Sequence, residues 1–560
     1  MAYNRDHQFR ENKFASFEQK RAVKDLTRLS LFSTSDEVLK RKALALLLLP
    51  LVTLNGTTRN VNKALGNLLG PLCGYNYKQS TVDKTLRELK YLKVSERLIH
   101  ADAKFWLKFW QRHQKSFPYL VCYYIDGQTK PLWSHQACVK SQVSMLGRVM
   151  GCLEQVFVHD RYGRPLYFQT FAGGADLGQS ALAMMNNLEA AFNTGQPRPP
   201  QVARALIVDG KANGVAILRA FTKSNYYFIT ILDDNQISPR KFKGPQRRSR
   251  YRWGQATLTD TMLELVDSSE PRYIFETRGI LIDWDHGKRT LMATNLPREL
   301  VSSSVTVKSY FDRWPDQELP FRGMKATVAL HRIFGYGKMK IENANVRQKC
   351  EQLQADIHQL QQTLRPLLDQ LEYQQERLCR LYAKERRLRN KSVIRAGQRI
   401  LSAVDKPKFV EAQKAINRTQ REIRQLRATE PKKLQALDSK LREWQRLTGK
   451  KIVYRVDVEL DQIMTSFRMC LVNLLCHLLE NYLGSLPMTH QNVLHTFLYL
   501  PGDLISSPTQ QLVKIQANAK EPKMMKLLEK AITKLNRDKI QMLDGRKLKF
   551  ELDHSHIISQ

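Results

Sequence analysis

From Leu353 onward the chain carries an apolar residue at alternating steps of four and three: Leu353, Ile357, Leu360, Leu364, Leu367, Leu371, Leu378, Leu381 and Leu388. Gln374 and Glu385 are the two breaks in that set. A repeat of this kind held for about five heptads fits a long α-helix whose seam another helix must cover. Pro366 lies inside the run, where a missing ladder hydrogen bond predicts a kink. After a polar break near 390–408 that includes Pro407, a second helical pattern follows with Ile416, Ile423, Leu434, Leu437, Leu441 and Trp444. The simplest arrangement is an antiparallel helical hairpin over 341–450, serving either as a dimerisation element or as an arm.

A chain of 560 residues is too long for one core and predicts about three or four domains. Lys and Arg number 90 against 53 Asp and Glu, a formal net charge of +37. Such an excess points to a polyanionic partner, because neutralising phosphates releases their counterions. Charge alone also admits a ribosome-associated or simply basic protein. The eight cysteines include no CxxC pair and no Cys/His group at zinc-ligand spacing. They read as reduced thiols filling the core of a cytosolic-type protein. The first residues, up to Phe14, are charged and lack the apolar core of a signal peptide. The longest apolar run, Ala43 to Leu54, contains Pro50 and falls short of the ~20 residues a membrane-spanning helix needs. It predicts a buried helix and no membrane partner.

Residues 1–117 read as helical. Asp36 can cap a helix running into Leu46–Leu49, Asn55-Gly56 breaks it, and Thr57 or Thr58 can start the next. Ser80 opens a segment with Val82, Leu86, Leu89 and Leu92 at helical spacing, with Lys84, Arg87 and Lys90 between them. This pattern suits a helix-turn-helix-like DNA reader or a plain helical bundle. At about residue 118 the texture becomes β-rich. The run from Tyr119 to Ile125 ends in Asp126-Gly127, and that from Ala205 to Val208 ends in Asp209-Gly210. Strands are expected at 153–158 and 166–171 around a turn at Asp160–Gly163, then a helix at about 179–192, and strands at 226–232, 279–284 and 288–294.

The short stretch 240–257 holds Arg240, Lys241, Lys243, Arg247, Arg248, Arg250 and Arg252 with Tyr251 and Trp253. It reads as a nucleic-acid contact or a solvated loop. The expected organisation is an α+β multidomain chain. A helical domain spans 1–117, and a mixed-sheet core spans 118–340 with a β-rich basic insertion at about 234–300. The helical hairpin spans 341–450, and an α/β region spans 451–560.

Three acids stand out. Asp126 and Asp209 each follow an apolar β run, and Glu318 lies on a segment where Glu318, Arg322 and Lys325 share a helical face. Carboxylates at strand ends with one on a helix suit divalent-metal phosphoryl transfer, because hard cations take oxygen ligands. Taken singly, an Asp-Gly after a strand reads as a turn, and a Glu beside Arg and Lys reads as a surface ion pair. Glu299 and Asp316 compete for the third position; Glu318 is preferred for its spacing to Lys325.

The residues Thr294-Asn-Leu296, then Tyr310 with Arg313-Trp314, then Glu318 with six residues before Lys325, resemble the Tyr-Arg-Glu-Lys signature of bacterial insertion-sequence DDE transposases. The likeness spans about 118–340. It implies a ribonuclease-H-like core with the first Asp on the first strand, the second on the fourth, and the Glu on a later helix. Asp126, Asp209 and Glu318 then serve as catalytic residues and hold two Mg²⁺ (or Mn²⁺) ions. The resemblance also implies a β-rich insertion before the Glu, and DNA contacts from Tyr310, Arg313, Arg322 and Lys325. It implies double-stranded DNA (element ends and target) as partner, a homodimer in the active complex, and a cytoplasmic, nucleoid-associated place in a prokaryote. A ribonuclease-H-like nuclease without strand transfer, or a non-catalytic DNA-binding derivative, is the alternative. This chain has four residues between Arg313 and Glu318 where the family usually has three. It also has Gly-Lys-Ala-Asn after Asp209 in place of the commoner Arg-x-Tyr type, and it adds the helical hairpin, all of which point to a divergent subgroup.

Overall fold

Among the described residues of the computed structural model, four α-helices precede the first strand: α1 (Asp36–Val52), α2 (Leu69–Cys73), α3 (Gln79–Tyr91) and α4 (Ser95–Arg112). The structure describes residues 35–554 apart from 54–56, 59–60, 62–68, 76, 113–119, 135, 137, 144–145, 174–176, 193–202, 234–241, 267–273, 336, 392, 396–397, 451, 485–489 and 519–520. The expected break at Asn55-Gly56 and the cations Arg240 and Lys241 lie outside the described residues. Ser35, not Asp36, takes the N-cap position of α1, with extended backbone (φ −63°, ψ 153°). Asp36 sits one residue later, where its charge meets the positive end of the helix dipole.

The central region contributes β1 (Leu120–Pro131), β2 (Lys140–Val143), β3 (Arg148–Asp160), β4 (Pro165–Phe171), α5 (Leu177–Phe192), β5 (Ala203–Val208), α6 (Val215–Lys223) and β6 (Tyr227–Ile231). Then come β7 (Gln246–Tyr251), β8 (Gly254–Val266), β9 (Ile274–Trp284), β10 (Arg289–Thr294), α7 (Ser303–Phe311) and α8 (Leu319–Thr327). All ten strands form one mixed sheet in the order β2-β3-β1-β5-β6-β10-β9-β8-β7, with β4 also on β3. β3 runs antiparallel to β1 and β4, whereas β1, β5 and β6 are mutually parallel. β10 returns antiparallel to β6, and β7 to β10 complete an antiparallel meander.

Both faces of the sheet are covered. Along β5, Ala203, Ala205 and Ile207 join a cluster with Val307 and Tyr310 of α7, while Leu206 and Val208 join one with Met184 and Met185 of α5 and Leu218 of α6. The alternation follows from the two-residue period of a strand. It explains why β5 is apolar apart from Arg204, which pairs with Glu189 of α5, rather than half polar.

By its contacts the chain divides into two compact units, residues 1–337 with 456–560, and residues 338–455. The second unit holds β11 (Lys338–Glu342), α9 (Ala344–Asn390), β12 (Val393–Arg395), β13 (Gln398–Ile400), α10 (Asp405–Thr448) and β14 (Ile452–Val456). Helices α9 and α10 form the antiparallel hairpin, closed at one end by the β12–β13 pair and at the other by β11 and β14. Leu353, Ile357, Leu364 and Leu388 of α9 and Ala412, Ile416 and Ile423 of α10 are buried, and Leu353 packs with Leu447 and Trp444 of α10. Pro366 lies inside α9 without ending it.

The first unit is completed by α11 (Glu459–Asn481), α12 (His490–Val493), β15 (Gly502–Ser506), β16 (Gln510–Gln516), α13 (Pro522–Arg537) and β17 (Lys547–Asp553). Helix α11 is long and apolar enough to cross a membrane, yet 72% of its apolar window is buried. Its Met469, Val472 and Leu475 pack in the same cluster as Trp106 and Phe168, and its Ile463 and Met464 pack with Leu46 of α1 and Leu86 of α3. All the described cysteines are free thiols, and six of the eight are buried.

Within this apolar helix sits a buried ionic network. Lys130 of β1 donates to Asp461 Oδ2 at 2.8 Å, with both side chains fully buried. Gln155 Nε2 donates to the same oxygen at 2.9 Å, and the Phe334 amide donates to Asp461 Oδ1 at 2.8 Å. Burial pushes the Lys130 ammonium down to about 8, against the pull of Asp461. Removing one partner of such a pair strands a charge in the interior. Asp461→Ala should therefore lower unfolding stability by about 3–5 kcal/mol in urea titration. A loss below about 1 kcal/mol would mean that Lys130 sheds its proton at little cost and that the pair does not hold α11 on the sheet.

Candidate functional site

The parallel register of β1 and β5 pairs Ile125 with Val208, the last residues in that ladder. Asp126 and Asp209 are the next residue on each strand. Neighbouring strands lie about 4.8 Å apart, so the two carboxylates spring from adjacent backbone positions at one edge of the sheet. Both are half-buried. Asp126 Oδ1 accepts from the Gly127 amide at 2.8 Å, and its Oδ2 accepts from Gln317 Nε2 at 3.3 Å.

Glu318 reaches this edge from the helical segment after α7. Between α7 and α8 the backbone stays helical, but Trp314–Glu318 forms one π turn, closed by the Leu319 amide on the Trp314 carbonyl. A π turn holds one residue more than an α turn and is common at functional sites. The turn buries Gln317, whose Oε1 has no hydrogen-bond partner. It also brings Arg313 and Glu318, five apart, into an ion pair of 2.7 Å.

Electrostatics ties the three acids together. Burial raises the Glu318 carboxyl above its ordinary range; Arg313 opposes this, and the charges of Asp126 and Asp209 push the same way. Burial lowers the Lys325 ammonium, with Asp126 and Glu318 opposing. Its Nζ sits 4.3 Å from the Phe321 ring centroid. Burial pushes the Tyr310 hydroxyl up to about 12, with Asp209 and Glu318 adding to the shift and the Arg313 guanidinium opposing it. Asp126, Asp209, Glu318, Tyr310, Arg313 and Lys325 thus share one electrostatic neighbourhood. Arg322 is exposed, 5.0 Å from the Trp314 ring centroid, and its charge acts on both Glu318 and Lys325.

The rival acids sit elsewhere. Glu299 is exposed in the turn after β10. Burial raises the Asp316 carboxyl with Asp312 adding, while Arg252, Lys308 and Arg161 oppose.

Crowded carboxylates favour a bound cation, which relieves their repulsion. As the side chains stand, no group of three His, Cys, Asp or Glu among the described residues is drawn together tightly enough to hold an ion. Asp126, Asp209 and Glu318 nonetheless supply hard oxygen donors, and the unpartnered buried Gln317 carbonyl lies on the same turn. This donor set fits Mg²⁺ or Mn²⁺ rather than a soft metal.

The basic stretch belongs to a different edge. Lys243, Arg247, Arg248, Arg250 and Arg252 are exposed along and beside β7, the outermost strand, and Arg248 pairs with Asp285 at 3.2 Å. A cleft of about 410 Å³ between this meander and the π turn is lined by Arg252, Trp253, Trp284, His286, Phe311 and Trp314.

Three residues escape the sequence reading. Gln317 carries no local signal, since its contact with Asp126 spans 191 positions. His159 of β3 is fully buried, its ring centroid 4.8 Å from that of Phe321, and neither ring nitrogen has a hydrogen-bond partner of normal geometry. Burial pushes it down to about 4, with Asp126 opposing and Lys325 adding, so it stands neutral beside the site. Gly163 closes the expected Asp160 turn with φ +75°, and a Cβ there would collide with the Asp316 carbonyl. The turn was legible; its abutment on the π turn was not.

Comparison with known protein-family models and with curated proteins gives no match to this chain.

Gly163→Ala combines a left-handed backbone with a clash against main chain, so it should cost about 1–3 kcal/mol in urea titration. If Gly163→Ala matches wild type, the turn and the helix do not abut as described.

Proposed function

We propose that the chain is a DNA transposase with a ribonuclease-H-like catalytic core, cutting element ends and joining them to target DNA at Asp126, Asp209 and Glu318. The observation that carries this reading is the convergence of three distant acids at one sheet edge. Asp126 lies on the first strand and Asp209 directly follows β5, the fourth strand in chain order once the short β2 is set aside, while Glu318 comes from a later helical segment. The meander β7 to β10 supplies a β-rich insertion between the second acid and the third. The extra residue between Arg313 and Glu318 matches the one-residue gain of a π turn. An ordinary helix with that insertion would rotate Glu318 by about 100° away from its face.

Divalent ions held by the three carboxylates supply activation of the attacking oxygen and stabilisation of the leaving oxygen. The protein groups do the positioning. Lys325 and Arg313 offer cations to a strand phosphate, and the low-dielectric setting of Lys325 strengthens that contact. Tyr310 stays protonated at neutral pH and can donate from its hydroxyl. Neutral His159 and the Phe321 ring form an apolar back wall that excludes water. The exposed cations along β7 extend the phosphate contacts. Joining two ends calls for at least two copies in the active complex.

Asp126→Ala, Asp209→Ala and Glu318→Ala should each abolish Mg²⁺- or Mn²⁺-dependent cleavage of DNA carrying the flanking sequences of the gene. Binding should change by under about threefold, less than 1 kcal/mol. Full cleavage by Glu318→Ala removes that residue from the site; discrete cleavage without joined products supports a nuclease instead. Independently, reversing Arg247, Arg248 and Arg250 to Glu should reduce the slope of log affinity against log salt by about 2–3. An unchanged slope takes β7 out of the interface.

A further inference from the structure

The hairpin distributes its charge unevenly. Residues 344–383 of α9 carry five Lys and Arg against five Asp and Glu, whereas the distal stretch 384–421 carries twelve against three. Residues 422–450, back along α10, carry eight against four. In the half nearer β11 and β14, charges cancel across the hairpin: Lys349 pairs with Glu443 at 2.9 Å and Lys440 with Asp356 at 2.6 Å. At the distal end Lys384, Arg386, Arg387, Lys406, Lys408 and Lys414 are exposed, and none makes an ion pair among the described residues.

Like charges at helical spacing on two neighbouring helices repel, so this end is a destabilising arrangement unless an anion meets it. The apolar seam is already consumed within the hairpin, since its leucines and isoleucines other than Leu434 are buried or half-buried. That leaves no free stripe for coiled-coil pairing with a second copy. Docking on a membrane surface needs a broad apolar face with Trp, Phe or Leu. The large apolar side chains exposed near this end are Tyr382, Val404 and Val410. Duplex DNA, with one negative charge per ~1.7 Å of axis, offers the density of anions that six uncompensated cations on two helices about 10 Å apart can meet.

We propose that the distal end of the α9–α10 hairpin is a second, sequence-independent grip on the phosphate backbone of duplex DNA. Helix α9 has 47 residues, a rod of about 70 Å, so the grip lies far along the arm from its β11–β14 root. This goes beyond the catalytic reading and does not depend on it.

The test uses the full chain with Lys384, Arg386, Arg387, Lys406, Lys408 and Lys414 all changed to Gln. A control loses six exposed cations from the root half, among them Arg347, Arg365 and Arg442. Duplex binding is titrated from low to moderate salt. The distal variant should lose about 4–5 from its salt slope and at least a hundredfold in affinity at low salt, and the control about 1 or less. Equal losses in both variants, or none in the distal one, overturn the proposal. Loss of binding to structured RNA with an unchanged duplex slope overturns it in favour of RNA. Helicity by circular dichroism confirms folding, and if the sixfold variant fails that check, the two threefold variants on α9 and α10 carry the same comparison. Cleavage on the same DNA is read separately. Tip-dependent binding without cleavage by wild type sinks the transposase reading alone, and cleavage with an unchanged slope sinks this inference alone.

Discussion

Parallel pairing of β1 with β5 sets the terms for everything around it. Antiparallel neighbours can be joined by a tight turn, but parallel ones need a long return path, here supplied by β2 to β4 and helix α5. Helix α5 of that return covers one face of the sheet and α7 the other, which makes the strands largely apolar on both sides. Parallel pairing also sends both strands out at the same edge. Two carboxylates that are 83 positions apart in the chain therefore emerge side by side without any contact between them being selected.

The third acid depends on a different device. Glu318 hangs from a helix whose π turn shifts the following residues by one position, letting Gln317 reach Asp126 and Arg313 reach Glu318. The arrangement concentrates negative charge where burial already disfavours it, and Arg313 and Lys325 offset part of that cost. Such opposition between like charges and nearby cations occurs at functional sites and in structural ion-pair networks alike.

Much of this was legible in residues alone. The apolar runs ending at Asp126 and Asp209 announced buried strands, and the four-three repeat from Leu353 announced the hairpin. The spacing from Tyr310 to Lys325 drew attention to the helical segment that carries Glu318. Other features left no trace. β7 reads Gln-Arg-Arg-Ser-Arg-Tyr, an edge strand whose exposed cations erase any apolar alternation, as edges often do to avoid pairing with other chains. The π turn is a property of hydrogen bonding, so the extra residue before Glu318 registered only as a mismatch in spacing. Nothing in the sequence near Asp461 revealed that its counter-ion would be Lys130. Contacts between residues hundreds of positions apart have no local signature.

That last separation has a bearing on the order of events during synthesis. Lys130 and Asp461 are 331 positions apart, and the whole hairpin lies between them in the chain. At about 5–20 residues per second, a ribosome needs roughly 20–60 s to travel from one to the other. Until Asp461 has been made, Lys130 lacks the buried counter-ion it meets in the folded chain. A product halted within the hairpin carries Asp126, Asp209 and Glu318 and yet lacks the helix that completes the core. In the order of synthesis, the scaffold is finished after the acids of the candidate site.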